Sequence, residues 1–157
     1  MKRVMLSIFI VLSGCSNEPS EIGPIITRFI DRECINLQSC TVSIQEFTHF
    51  KWDKMYVFKY NATEREIEQV VGQGLDEYNE FSNKLIFMNR DSIVHFEEHE
   101  INIERPVNGE LIFLMADADR FIAFTPTTAK FKATIRAFAK GSYYELAPSF
   151  TNLVTPP

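Results

Sequence analysis

The chain is poor in positive charge, in tryptophan and in cysteine, and each shortage narrows its function. It has 16 Lys and Arg against 21 Asp and Glu over 157 residues, a net charge of −5. A dedicated nucleic-acid binder needs a basic footprint, so no nucleic-acid partner is expected. No Gly-x-Ser-x-Gly, phosphate-binding loop or Cys-x-x-Cys occurs, so the common hydrolase, nucleotide and redox signatures are missing. The apolar run Val4–Leu12 is too short to cross a bilayer as a helix, which takes about 20 residues. The composition is otherwise that of a globular protein, with 45% hydrophobic and 24% charged residues. Against a single Trp stand 14 Phe, an excess that favours strands and a filled interior.

Lys2 and Arg3, the run Val4–Leu12, and the small residues Ser13 and Gly14 follow the three-part layout of a secretory signal. The tetrad Leu12-Ser13-Gly14-Cys15 resembles the lipobox of bacterial lipoproteins. That resemblance implies cleavage before Cys15, a diacylglyceryl group on its thiol and an acylated new amino group. Two or more acyl chains are what stable anchoring requires. The partner so implied is the membrane of the cell envelope. Ser16, rather than Asp, follows Cys15, and in enteric lipoproteins this goes with the outer membrane, facing the periplasm. Losing residues 1–14 removes two basic residues and no acid, which takes the net charge from −5 to −7. The acidic mature chain has no electrostatic pull toward anionic head groups, so the lipid does the anchoring.

The expected organisation is a signal over 1–14, a lipidated linker over 15–23, one domain over 24–150 and a loose tail over 151–157. With Cys15 lipidated, Cys34 and Cys40 remain as an even pair in an exported chain. A disulfide between them is expected, with two buried thiols as the alternative.

Ile22, Ile25, Ile26, Phe29 and Ile30 fall on one helical face, with Pro24 suited to the first turn. This helix either lies on the membrane beside the anchor or docks on its own sheet. Its polar face is not Lys-rich, which favours docking. Thr63-Glu64-Arg65-Glu66 is a capping box ahead of a second helix that Gly72 stops. Met55 and Val57 alternate with Tyr56 and Phe58, as in a central strand buried on both faces. Leu85–Met88 and Ile93–Phe96 flank a turn and read as a hairpin. Further strands are expected at Ile101 and Ile103, Leu111–Met115, Phe121–Phe124, Phe131–Ala137 and Tyr143–Leu146, with a turn at Asp117–Asp119. The fold class is therefore α+β: a mainly antiparallel sheet of about six strands, with two helices near the mature N-terminus.

The segment Trp52-Asp53-Lys54-Met55-Tyr56-Val57-Phe58, with Thr63, Glu66, Ile67 and Gly72 behind it, looks like a pattern in small uncharacterised bacterial proteins, many of them lipoproteins. The resemblance implies a shared fold and no activity. Trp52 and Asp53 sit where a loop enters the central strand. They either plug the core edge and hold the turn, or form a candidate interaction spot.

His95-Phe96-Glu97-Glu98-His99 matches the inverted zinc-protease motif. That chemistry needs a helix, and these residues read as a strand, on which positions four apart lie about 13 Å from each other. No metal and no cofactor are expected. His95, Glu97 and His99 are expected to face solvent together. The function expected is a lipid-anchored binding module that meets a protein partner in the envelope. An assembly accessory is the alternative, and a small hydrolase ranks last because no nucleophile–base pair is visible.

Overall fold

The computed structural model describes residues 21–35, 39–102 and 104–149. The signal segment, Cys15, most of the linker, Ile103 and the tail from 150 lie outside the described residues. Two helices and eight strands form an α+β fold: α1 (Ile22–Glu33), β1 (Cys40–Ser43), β2 (Lys54–Phe58), α2 (Glu64–Val71), β3 (Ser82–Asn89), β4 (Ser92–Glu100), β5 (Leu111–Phe113), β6 (Phe121–Phe124), β7 (Lys130–Phe138) and β8 (Gly141–Pro148). A 3-10 turn over Ile44–Phe47 follows β1.

The strands make two four-stranded sheets rather than the single sheet of about six that the sequence suggests. One runs β1-β7-β8-β5, the other β4-β3-β2-β6. All pairings are antiparallel except β5 with β8. Period-2 patterning reports which residues are buried but not which sheet buries them, so two sheets sharing a core read as one.

Alternation along β2 and β3 builds three layers. Met55, Val57, Leu85 and Phe87 point into a core shared with Phe131, Ala133, Tyr144 and Leu146 of the other sheet. Tyr56, Phe58, Ile86 and Met88 point the other way, against Ile67 and Val71 of α2. β2 lies between β3 and β6 and is covered on both faces, as its unbroken apolar run implies. α1 docks on the domain: Ile22, Ile26 and Ile30 are fully buried in the shared core. At about 1.5–3 kcal/mol for each fully buried side chain, this stripe outweighs anything helix propensity contributes. No described helix is long and apolar enough to cross a membrane.

α2 carries both of its own stops. Thr63 Oγ1 accepts from the Glu66 amide at 3.3 Å, and Glu66 Oε2 accepts from the Thr63 amide at 2.7 Å. Gly72 closes the helix in the left-handed region at φ 79°. At the other end of α1, Cys34 and Cys40 stand at disulfide distance, with Cα atoms 5.5 Å apart, which ties α1 to β1.

One sequence-based detail differs. β4 continues through Glu100, and the Ile101–Asn102 segment is a loop instead of a strand. The cause is Glu110, whose carboxylate accepts from the amides of Asn102 and Val107, both at 2.8 Å, and so takes up a main-chain donor that a strand would have used. The 74–82 stretch is tied down by Lys84. That side chain is fully buried, and its ammonium donates to the carbonyls of Asn79 and Ser82 and sits 4.5 Å over the Tyr78 ring. Burial pulls its pKa down, and the Glu98 carboxylate 3.8 Å away opposes that only in part. Tyr78 in turn donates its hydroxyl to the Ala62 carbonyl at 2.8 Å.

Candidate functional site

The site forms where β4 ends its sheet. Among the described residues β4 pairs only with β3, and the register sets Leu85 opposite Glu97 and Phe87 opposite His95. Because Leu85 and Phe87 face the shared core, His95, Glu97 and His99 face inward beside them. The expectation that these three residues face solvent is thus overturned: the strand is there, but its polar face is the buried one. Glu97 is only 6% exposed.

The physical reason is the start of α1. Its N-cap residue, Glu21, makes no side-chain capping bond. The first-turn amides are instead capped from 75 residues away, by Glu97. Its Oε1 accepts from the Ile22 amide, and its Oε2 accepts from the Gly23 amide at 3.1 Å. A carboxylate at a helix N-terminus also meets the positive end of the helix dipole. His95 Nε2 lies 2.6 Å from Glu97 Oε1, its ring held between Phe50 and Phe87. His99 Nε2 stands 3.2 Å from Glu97 Oε2.

Burial pushes the Glu97 pKa up. The His95 and His99 rings and the Ile22 and Gly23 amides outweigh that and hold the carboxyl well below its ordinary value, at about 2. The helix approaches so closely here that a Cβ on Gly23 would collide with Cε1 of His99. The two histidines therefore converge on one carboxylate. No group of three or more His, Cys, Asp or Glu among the described residues is arranged to hold a metal ion.

Beside this cluster lies a cleft of about 690 Å³. One wall is β4 from Val94 to Glu100; the other is the first turn of α1 and Gly109–Leu111. Among the described residues, six that line it are glutamates, Glu21, Glu77, Glu97, Glu98, Glu100 and Glu110, and none is Lys or Arg. Glu97 and Glu110 are taken up by backbone amides, and Glu98 accepts from the Asn79 amide at 2.8 Å. Glu21, Glu77 and Glu100 are exposed. A second cleft, of about 580 Å³, adjoins it through Glu100, Gly109 and Glu110. It is bordered by Phe81 and Val107, which are 60% and 52% exposed.

Trp52 is elsewhere. It is 8% exposed, packs edge-on against Phe87 and donates its indole N–H to Thr48 Oγ1 at 2.9 Å. The ring fills the core edge, because a large apolar face with one polar tip satisfies both needs there. Asp53 is exposed and holds the β3–β4 hairpin, its Oδ2 accepting from the Arg90 amide at 2.7 Å, where Arg90 adopts φ 57°. Cys15 lies outside the described residues. The partnership of Glu97 with α1 escaped the sequence reading. The available signal was α1's want of a Ser, Thr, Asp or Asn cap ahead of a clear apolar stripe.

A scan of protein-family models, a search of curated proteins and a search of solved structures each found no match to this chain.

Proposed function

We propose that this protein is a lipid-anchored binding module of the bacterial envelope, held by acyl chains on Cys15, and that the acidic cleft beside β4 is its recognition surface for a protein partner. The observation that carries the reading is the one-sided lining of the cleft: six glutamates and no Lys or Arg among the described residues, next to exposed Phe81 and Val107. Charge of one sign in a cleft focuses the field and speeds encounter with a partner of the opposite sign. Six residues lie between Cys15 and Ile22, so a fully extended linker of seven Cα-to-Cα steps keeps the start of α1 within about 25 Å of the anchor. A partner at or near the membrane surface suits that reach. Ser16 after Cys15 favours the outer membrane in an enteric host, with the domain in the periplasm.

The chemistry of the lining supports binding over catalysis. Among the described residues its one aliphatic hydroxyl, on Thr27, donates to the Pro24 carbonyl at 3.2 Å, and the Nε2 atoms of both histidines face Glu97 rather than open space. A Cys34–Cys40 disulfide fits an oxidising compartment.

Two measurements test the reading. Cys15→Ser should leave the chain unprocessed and shift it out of the membrane fraction; a variant that still matures and stays there refutes the anchor. Capture from detergent-solubilised membranes should return a partner with the native chain and lose it with the triple variant Glu21→Gln, Glu77→Gln, Glu100→Gln. Equal capture by both refutes the cleft.

A further inference from the structure

We infer that the open edge of β4 takes an extended, basic segment of another protein as an added strand. This rests on the cleft being the recognition surface, and it names how a partner sits there. Every residue from Val94 to Glu100 lines the cleft. Side chains alternate between faces along a strand. A cleft that touches a whole consecutive run therefore follows the strand's edge, not one of its faces. β4 is the last strand of its sheet, with β3 its sole strand partner among the described residues. Its other edge thus presents main-chain donors and acceptors that no strand pairs. Seven residues at about 3.3 Å each give a track of roughly 23 Å, matched by a peptide of similar length. The first turn of α1 and the Gly109–Leu111 segment form the opposite wall, which would hold the added strand from its far side.

Charge selects the occupant. The glutamates free to meet a ligand are Glu21, Glu77 and Glu100. A second copy of this chain would bring the same acidic track to the junction, and like charges across a strand pair are destabilising. Charge on an exposed edge is a familiar guard against self-pairing. The same charge attracts a strand bearing Lys or Arg. Exposed Val94 on the track, with Phe81 and Val107 in the adjoining cleft, offers contacts for intervening apolar side chains. Main-chain bonds then give affinity and alternate side chains give specificity, the general logic of strand addition.

The test uses the full chain in detergent and a labelled peptide of about nine residues that alternates Lys with Val, followed by fluorescence anisotropy at low salt. Saturable binding is expected, with slower hydrogen exchange confined to β4 amides. Affinity should fall about tenfold with the Glu21→Gln, Glu77→Gln, Glu100→Gln variant. It should fall at least as far when alternate peptide nitrogens are N-methylated, which removes strand donors and keeps every charge. An N-methylated peptide that binds as well as its parent overturns the inference, since charge alone is then at work. So does a native dimer that the peptide dissociates, because the edge then belongs to a second copy. Absence of peptide binding, with membrane capture still lost in the glutamate variant, overturns strand addition while leaving the cleft as the recognition surface. If capture is insensitive as well, both readings fall.

Discussion

The two helices of this domain solve the same problem by opposite routes. Each begins with amides that the helix itself cannot satisfy. α2 satisfies them locally, through Thr63 and Glu66 within one turn. α1 has no such residue and takes its acceptor from Glu97, on the edge strand of a sheet far along the chain. A local cap needs only its own turn. A borrowed cap exists only once β3, β4 and the core are assembled, so it couples the helix to the whole fold. The difference teaches that a buried, strongly polar cluster can be a structural joint, while the neighbouring cleft, rather than the cluster, opens outward.

The largest way to break this comparison is Glu97→Ala. It strips the first-turn amides of α1 of their acceptor and leaves His95 and His99 buried without their shared partner. Removing one member of a buried polar cluster costs roughly 3–5 kcal/mol. The expected readout is a fall in the urea midpoint with an unchanged slope. A loss below about 1 kcal/mol, the scale of an ordinary local cap, would mean that α1 is held by its apolar stripe alone.

Acid probes the same joint without mutation. The Glu97 carboxyl titrates at about 2 in the fold against 4.5 ordinarily. A depressed carboxylate contributes stability that is fully present above pH 4.5 and is lost as pH falls from there toward 2. The gap corresponds to roughly 3 kcal/mol. Stability of the native chain should therefore decline through that window, and Glu97→Gln should flatten the decline. Equal slopes in both proteins would show that other carboxylates carry the acid response. The Glu66 carboxylate is also lowered, chiefly by the Thr63 amide and then the Thr63 hydroxyl, but it stands at the surface, where solvent screens it.

Gly23→Ala sharpens the comparison by testing fit rather than charge. The added methyl meets the His99 ring, and overpacking of this kind costs about 1–3 kcal/mol. His99→Ala should recover part of that loss in the double variant, because the two side chains then no longer compete for one space. Strict additivity would mean that the helix shifts away instead of pressing on the ring.

Much of the fold was legible because its signals are short-range. Thr63 and Glu66 declare a helix start, Gly72 declares its end, and Met55 through Phe58 declare a strand covered on both sides. The Leu85–Phe96 hairpin is marked by the turn between its apolar runs. What stayed hidden depends on which elements meet. Nothing near Glu97 announces that its carboxylate ends beneath a helix 75 residues earlier. Without that fact, a run of His and Glu on an edge strand reads as a solvated face. Lys84 misleads similarly, since a buried lysine becomes tolerable only when carbonyls of the 79–82 segment wrap its ammonium. Partition into two sheets was hidden for the same cause, as β6 pairs with β2 across more than sixty residues. The cleft inherits this limit: its glutamates come from four separate segments, which only the fold brings together.

The smallest effect belongs to α2. Thr63→Ala removes the hydroxyl that accepts from the Glu66 amide, and the loss should be about 1 kcal/mol. It should leave α1 and the cleft untouched, because no bond of the Thr63 cap reaches β4. Hydrogen exchange makes the contrast sharper than a global midpoint does. With Thr63→Ala, faster exchange should be confined to the first turn of α2, whereas Glu97→Ala should speed exchange in α1 and along β4 together. If Thr63→Ala also loosens α1, the two helices share one cooperative unit, and the distinction between a local and a borrowed cap is one of chemistry only, not of how strain spreads through the domain.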